Sequence, residues 1–173
     1  MKSRTPLADP ISQVRVCRFV LAGEAFAIDV RWARGVVVLE ELTRVPGAPL
    51  HLVGVAHIRG QVLPVVEIRP LLGLPPGKAG EGARLLVVEA APLQAAIATD
   101  RVLGLASFEE VQPLAGPPSR HWEVFRLGLL SRGDEPTTLL DAPRILAALR
   151  TSVRLSDAGE GVEGMAIPAP KGE

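Results

Sequence analysis

Tyrosine is absent, aromatic residues make up 3% of the chain, and Cys17 is the single cysteine among 173 residues. One cysteine excludes an internal disulfide framework. The scarcity of aromatic rings speaks against the base-stacking platforms on which single-strand and RNA-reading modules rely. An excess of either charge is missing too: Lys plus Arg and Asp plus Glu both total 19. No net field therefore concentrates nucleic acid or anionic lipid, although the preponderance of Arg over Lys leaves room for a local basic patch. Long apolar runs are also lacking. The opening MKSRTPLADPIS has no apolar leader segment, and the richest tract, LLVVEAAPLQAAIA, is broken by Glu89, Pro92 and Gln94. The expectation is a cytoplasmic chain with no membrane insertion.

What is present is aliphatic. Hydrophobic residues reach 47% and mean hydropathy is +0.27, which marks a packed chain rather than a disordered one. The length suits one folding unit with two lobes and is short for two independent domains. Cys17 lies within VRVCRFVLA, an alternating strand-like run, and is expected to be a buried structural thiol.

Short β-type runs separated by Gly, Pro or Asp dominate the chain. Residues 14–22 and FAIDV predict a hairpin about the GEA turn; RWAR predicts one helical turn, and VVVLEELTRV an extended segment ending at PGAP. LVGVAHI and QVLPVVEI predict two strands joined across Arg59-Gly60. There Gly60 supplies the positive φ of a tight turn and Arg59 is displayed at the tip. PPGKAGEG is expected to be the seam between lobes, near 75–83. ARLLVVEA, LQAAIAT, LGLASFEEVQPL, EVFRLGLLS and TTLLD predict a second set of strands. APRILAALR predicts a helix with Pro143 in its first turn and Ile145, Leu146 and Leu149 on one face. Residues 1–12 are expected to be an N-terminal extension, 13–150 the domain, and 151–173 a disordered tail. Many short strands and one terminal helix predict two small barrels of about five strands each.

No catalytic or metal constellation emerges. GLPPGKA is one residue short of a phosphate loop, has no Ser or Thr after Lys78, and its prolines remove amides that would hold phosphate. GEGARL lacks the third glycine of a dinucleotide fingerprint, and Arg132-Gly133-Asp134 is a turn between strands. His51, His57 and His121 have neither HExxH spacing nor a cysteine pair nearby. Glu40-Glu41 and Glu109-Glu110 are adjacent residues on extended chain, so their carboxylates point apart. Cofactor and metal are both expected to be none. A chain of this kind is expected to work by binding.

The succession FAIDV, VPGAP, LVGVAHIRGQVLPVVEIRPLLGL, ATDRVLGL and LLDAPRIL resembles the CheW family of chemosensory coupling proteins, over about Gln13 to Arg150. The resemblance implies a mainly β fold of two intertwined five-stranded SH3-like barrels, with a short helix in the first lobe and one at the C-terminus. It implies a non-enzymatic adaptor between the cytoplasmic tip of methyl-accepting chemoreceptors and the regulatory domain of a CheA-type histidine kinase, located at receptor arrays. Carried over residue by residue, the partner-binding positions are Arg59, Gly60, Val62, Pro64, Ala33, Gly35, Val36, Asp100 and Val102. Departures from the family pattern are His57-Ile58 for Asn-Leu, Ala33 and Gly35 for a valine and a glutamate, and Thr99 for the valine before Asp100. They leave a divergent accessory adaptor, keeping one of the two contacts, as the alternative. Two readings from other classes are a small-barrel nucleic-acid module, which heparin retention would reveal, and an enzyme with a deep polar pocket between the barrels.

Overall fold

The computed structural model of the chain describes residues 13–159. Ten strands and one α-helix follow in order: β1 (Val14–Leu21), β2 (Glu24–Asp29), β3 (Ala33–Val38), β4 (Leu52–Ile58), β5 (Gln61–Val66), β6 (Arg84–Ala90), β7 (Leu93–Thr99), β8 (Arg101–Phe108), β9 (Arg126–Arg132), β10 (Glu135–Leu140) and α1 (Ala142–Gly159). They form two five-stranded sheets, ordered β8-β1-β2-β10-β9 and β3-β6-β7-β5-β4. Each sheet has one parallel junction, β2 with β10 and β5 with β7. Each closes in the same way. The chain leaving edge strand β3 bridges from Thr43 to Val55 on the opposite edge, and the chain leaving β8 bridges from Gln112 to Leu129. A glycine makes room for each closure: a Cβ at Gly54 would sit 2.5 Å from the Thr43 carbonyl oxygen, and one at Gly128 would sit 2.6 Å from that of Gln112.

The mainly β double barrel matches expectation, but its division differs. Strands β1, β2, β8, β9 and β10 make one lobe, and β3 to β7 make the other. The expected seam at 75–83 is therefore corrected: that loop joins β5 to β6 within one sheet. The chain crosses between lobes twice, around Arg31 and at Asp100. The first crossing also revises RWAR: the turn lies at Val30–Trp32, where the Trp32 amide donates to the Asp29 carbonyl at 3.0 Å and the Ala33 amide to the Val30 carbonyl at 3.2 Å, and it gives way to strand inside RWAR. The Asp29 carboxylate accepts from the Arg31 amide at 2.9 Å and from its guanidinium at 2.8 Å, so the corner closes within three residues and β3 starts at Ala33. The short helix expected before the seam is a single 3-10 turn, Pro70–Leu72.

Each barrel has its own aliphatic interior, around Val16, Leu130 and Leu139 in one and Leu63, Val65 and Leu85 in the other. A third and larger core lies between them, where Phe19, Phe26 and Ile28 from the first sheet meet Val66, Leu86 and Ile97 from the second under Ile145, Leu146 and Leu149 of α1. Cys17 belongs to it and is 4% exposed; burial raises its thiol pKa, which keeps it protonated and unreactive, as expected. Helix α1 continues to Gly159, past the Arg150 boundary expected from sequence. Residues 1–12 and 160–173, expected to be extension and tail, lie outside the described residues.

Candidate partner interface

The Arg59-Gly60 turn is set by Ile58 pairing with Gln61. Both turn residues are left-handed, Arg59 at φ 51° and Gly60 at φ 79°. This is the two-residue loop whose twist matches paired strands. The expectation gave positive φ to Gly60 alone; Arg59 shares it. Arg59 is exposed but does not simply project into solvent. Its Nη1 donates to the Arg34 carbonyl at 3.0 Å, and its guanidinium lies on the backbone of Gly35, where a Cβ would approach Nη2 to 2.7 Å. The tip of the β4-β5 hairpin is thereby tied to β3, at the opposite edge of the same sheet.

Beside that tie runs a groove of about 490 Å³ between edge strand β3 of one lobe and edge strand β8 of the other. Ala33, Gly35 and Val36 form one wall, Val102 and Leu105 the other, and Cys17 contributes to the lining. Val36 is 37% and Leu105 69% exposed, so the rim is apolar and open. Arg15 and Arg34 add positive charge. Arg34 is bound to Glu89 at 3.2 Å, whereas Arg15 has no ion pair among the described residues. Such a trough suits an amphipathic helix bearing an acidic side chain.

Four of the nine expected positions, Ala33, Gly35, Val36 and Val102, thus converge in one groove, and Arg59 reaches it through Gly35. Val62 and Pro64 do not line it. Val62 is exposed beside Glu40, Glu41 and His57, and Pro64 lines a separate hollow under α1. Asp100 sits at a joint between the lobes. Its carboxylate accepts from Arg69 through one oxygen and from the Ala22 amide at 2.7 Å through the other, and its own amide donates to the Val20 carbonyl at 3.0 Å. Thr99, in place of valine, is buried and donates to the Arg84 carbonyl at 2.9 Å, so the departure is absorbed internally.

Leu105 was not foreseen as part of this groove. Its signal was an apolar residue on β8 close after Val102; Leu105 is 69% exposed, and Leu103 is exposed without lining the groove. No group of three or more His, Cys, Asp or Glu side chains converges among the described residues. No helix among them is long and apolar enough to cross a membrane.

A CheW-like domain model matches residues 15–150. The chemotaxis protein CheW of Thermotoga maritima is 28% identical over 106 residues, covering 61% of this chain and 70% of that protein. The chemotaxis protein CheW of Bacillus subtilis is 31% identical over 70 residues, 40% of this chain and 45% of that protein, so this match spans less than half of the relative. The scaffolding protein TtCheW from Thermoanaerobacter tengcongensis shares the fold with a TM-score of 0.65 at 21% identity, over 74% of this chain and 88% of that one. With the family model running from β1 into α1 and the double barrel in place, the chain belongs to the CheW family.

Proposed function

We propose that this protein couples methyl-accepting chemoreceptors to a CheA-type histidine kinase, with the receptor's cytoplasmic helical tip lying in the β3/β8 groove and the kinase regulatory domain held elsewhere on the domain, at cytoplasmic receptor arrays. The observation that carries this reading is the groove itself: exposed Val36 and Leu105 face each other across the lobe boundary, with Arg15 and Arg59 at hand for an acidic side chain. By holding both partners, the scaffold makes receptor state bear on phosphoryl transfer without chemistry of its own. Gly60, Val62, Pro64, Asp100 and Val102 belong to the same reading as flanking or supporting positions.

A second reading is an accessory adaptor that keeps one of the two partners. It is favoured by Ala33 and Gly35, which remove an apolar contact and a carboxylate that the family pattern places on this wall. One experiment separates the two. Purified protein is tested against a receptor-tip fragment and the kinase regulatory domain, alone and together, beside Leu105→Asp. Coupling requires that the parent binds both and that Leu105→Asp loses the receptor while keeping the kinase. Kinase binding without any receptor binding by the parent selects the accessory reading. Unchanged receptor binding by Leu105→Asp would remove the groove from the account.

A further inference from the structure

The charged residues that line the β3/β8 groove are Arg15 and Arg34, and among the described residues no carboxylate lines it. Over the whole chain the charges cancel, 19 against 19, so this excess of one sign is local. Of the three guanidiniums at the groove, only that of Arg34 is neutralised: its Nε donates to the Glu89 carboxylate at 3.2 Å. Arg15, exposed on β1 where that strand pairs with β8, has no ion pair among the described residues. Arg59 has none either. Its bond to the Arg34 carbonyl is to a neutral acceptor and leaves its charge uncancelled. Gly35 is what seats it: a Cβ there would come within 2.9 Å of Nη1 and 2.7 Å of Nη2, so a side chain at 35 would displace the guanidinium from this wall. Each lobe therefore brings one uncompensated guanidinium to the groove, Arg15 from the first and Arg59 from the second, at a trough whose rim is the apolar pair Val36 and Leu105.

Resting on the coupling reading, which lays a partner helix in this groove, we propose that the groove selects that helix by charge. It takes an apolar stripe flanked on each side by a carboxylate, one for Arg59 where it lies on Gly35 and one for Arg15, and it rejects the same stripe flanked by lysines. The partner supplies in trans the negative charge that neither wall provides. An amphipathic helix can do so, because residues three and four apart share a face and acidic side chains can border an apolar row on both sides. Two effects add. Each carboxylate gains a guanidinium as a charged hydrogen-bond donor, and each lysine ammonium would instead meet a like charge. Since Arg15 and Arg59 belong to different lobes, an occupant that reaches both lies across the lobe boundary.

The probes are two synthetic helices alike except at the flanks of one leucine stripe, Glu in the first and Lys in the second, each carrying a fluorophore. Full-length protein is titrated against both by fluorescence anisotropy, in dilute and in concentrated salt. The Glu-flanked helix is expected to bind about tenfold more tightly in dilute salt, the sum of several exposed charge pairs, and the margin should shrink as salt screens them. In Arg15→Glu/Arg59→Glu the preference should invert. Arg15→Glu alone, which leaves the hairpin turn untouched, should narrow it, and the comparison in the parent needs no variant. Equal affinity of the parent for the two helices overturns the proposal, as does binding of neither, or a Glu preference unchanged in Arg15→Glu. The receptor-tip fragment, titrated beside them, keeps this proposal distinct from coupling itself. A tip that binds the parent but not Leu105→Asp, with no discrimination between the helices, sinks charge selection and leaves coupling standing. Discrimination between the helices with no binding of the tip supports charge selection and removes the receptor as the occupant.

Discussion

Arg59 occupies φ 51°, a left-handed conformation that disfavours any residue with a Cβ. What holds it there is the side chain, bonded to the Arg34 carbonyl and seated on Gly35. The two contributions are separable. Arg59→Ala loses the guanidinium and keeps the strain; Arg59→Gly loses both. Denaturant melts should show Arg59→Gly more stable than Arg59→Ala by about 0.5–1 kcal/mol. Both should bind the receptor tip more weakly than the parent by about 1–3 kcal/mol. Equal stability of the two variants would show that the turn is not strained. The Arg-Gly pair was legible in the sequence because so few residues permit a two-residue turn. Its contact with Gly35 was not, since 24 positions separate them and only the curl of the sheet brings them together. The same contact gives a physical meaning to Gly35 in place of the family's glutamate: without a side chain at 35, the arginine lies on backbone.

His51 offers a pH test at the same scale. Burial lowers its pKa below 6.5, opposed by the hydrogen bond to the Leu149 backbone. The folded state therefore resists a proton that the unfolded chain accepts near pH 6.5. Its contribution to stability is present above that pH and is lost as pH falls below it. The melting temperature of the parent should drop between pH 7.5 and 5.5, and that of His51→Gln should drop less. Asp29, whose pKa is lowered by hydrogen bonds and charge from Arg31 against the raising effect of its burial, acts only in the acid range below its ordinary 3.8, so the two windows do not overlap.

Helix α1 carries the clearest prediction among the elements. It begins where the Asp141 carboxylate accepts from the Arg144 amide at 3.0 Å, with Pro143 in the first turn, and it buries Ala142, Ile145, Leu146 and Leu149 over the core shared by both lobes. Ile145→Ala should cost about 2–5 kcal/mol in urea denaturation, and deletion from Ala142 onward should give an aggregating protein. A cost under about 1 kcal/mol for Ile145→Ala would show that the helix is only loosely docked. The start and the apolar face of this helix were legible from Pro143 and the 145, 146, 149 spacing. Its end was not. From Thr151 onward the sequence has little to bury, yet the Thr151 and Ser152 hydroxyls donate to the Ala147 and Ala148 carbonyls at 3.1 Å each, a bond that lets such residues remain helical. Strands were legible wherever an aliphatic run stood between turn residues. EVFRLGLLS was only partly so, because His121–Phe125 forms a 3-10 turn before β9 begins at Arg126.

At the scale of the whole molecule the sequence misleads, because interleaving leaves no local trace. A Gly- and Pro-rich loop was read as a lobe boundary, whereas it folds over Arg69: a Cβ at Gly77 would approach the guanidinium carbon to 2.5 Å. The real boundary is the joint beneath it. Arg69 is 3% exposed and binds the carboxylate of Glu67, itself 5% exposed, and also that of Asp100. Asp100 in turn holds the β1-β2 turn at Ala22 in the other lobe. One buried guanidinium therefore links Glu67 of the second lobe to Asp100 and, through Asp100, to the β1-β2 turn of the first, beside the apolar core between them. Arg69→Met leaves the Glu67 carboxylate buried without its partner, which should lower stability by about 3–5 kcal/mol. Glu67→Leu combined with Arg69→Met removes both buried charges and should recover a large part of that loss. Receptor binding should recover less, because Asp100 still lacks the arginine that ties it to the second lobe. The measurement is urea denaturation together with receptor-tip affinity for the single and double variants. A double variant that regains stability but not affinity would place the joint's importance in groove geometry. If the double variant is no more stable than Arg69→Met, the buried ion pair does not govern how the lobes are joined.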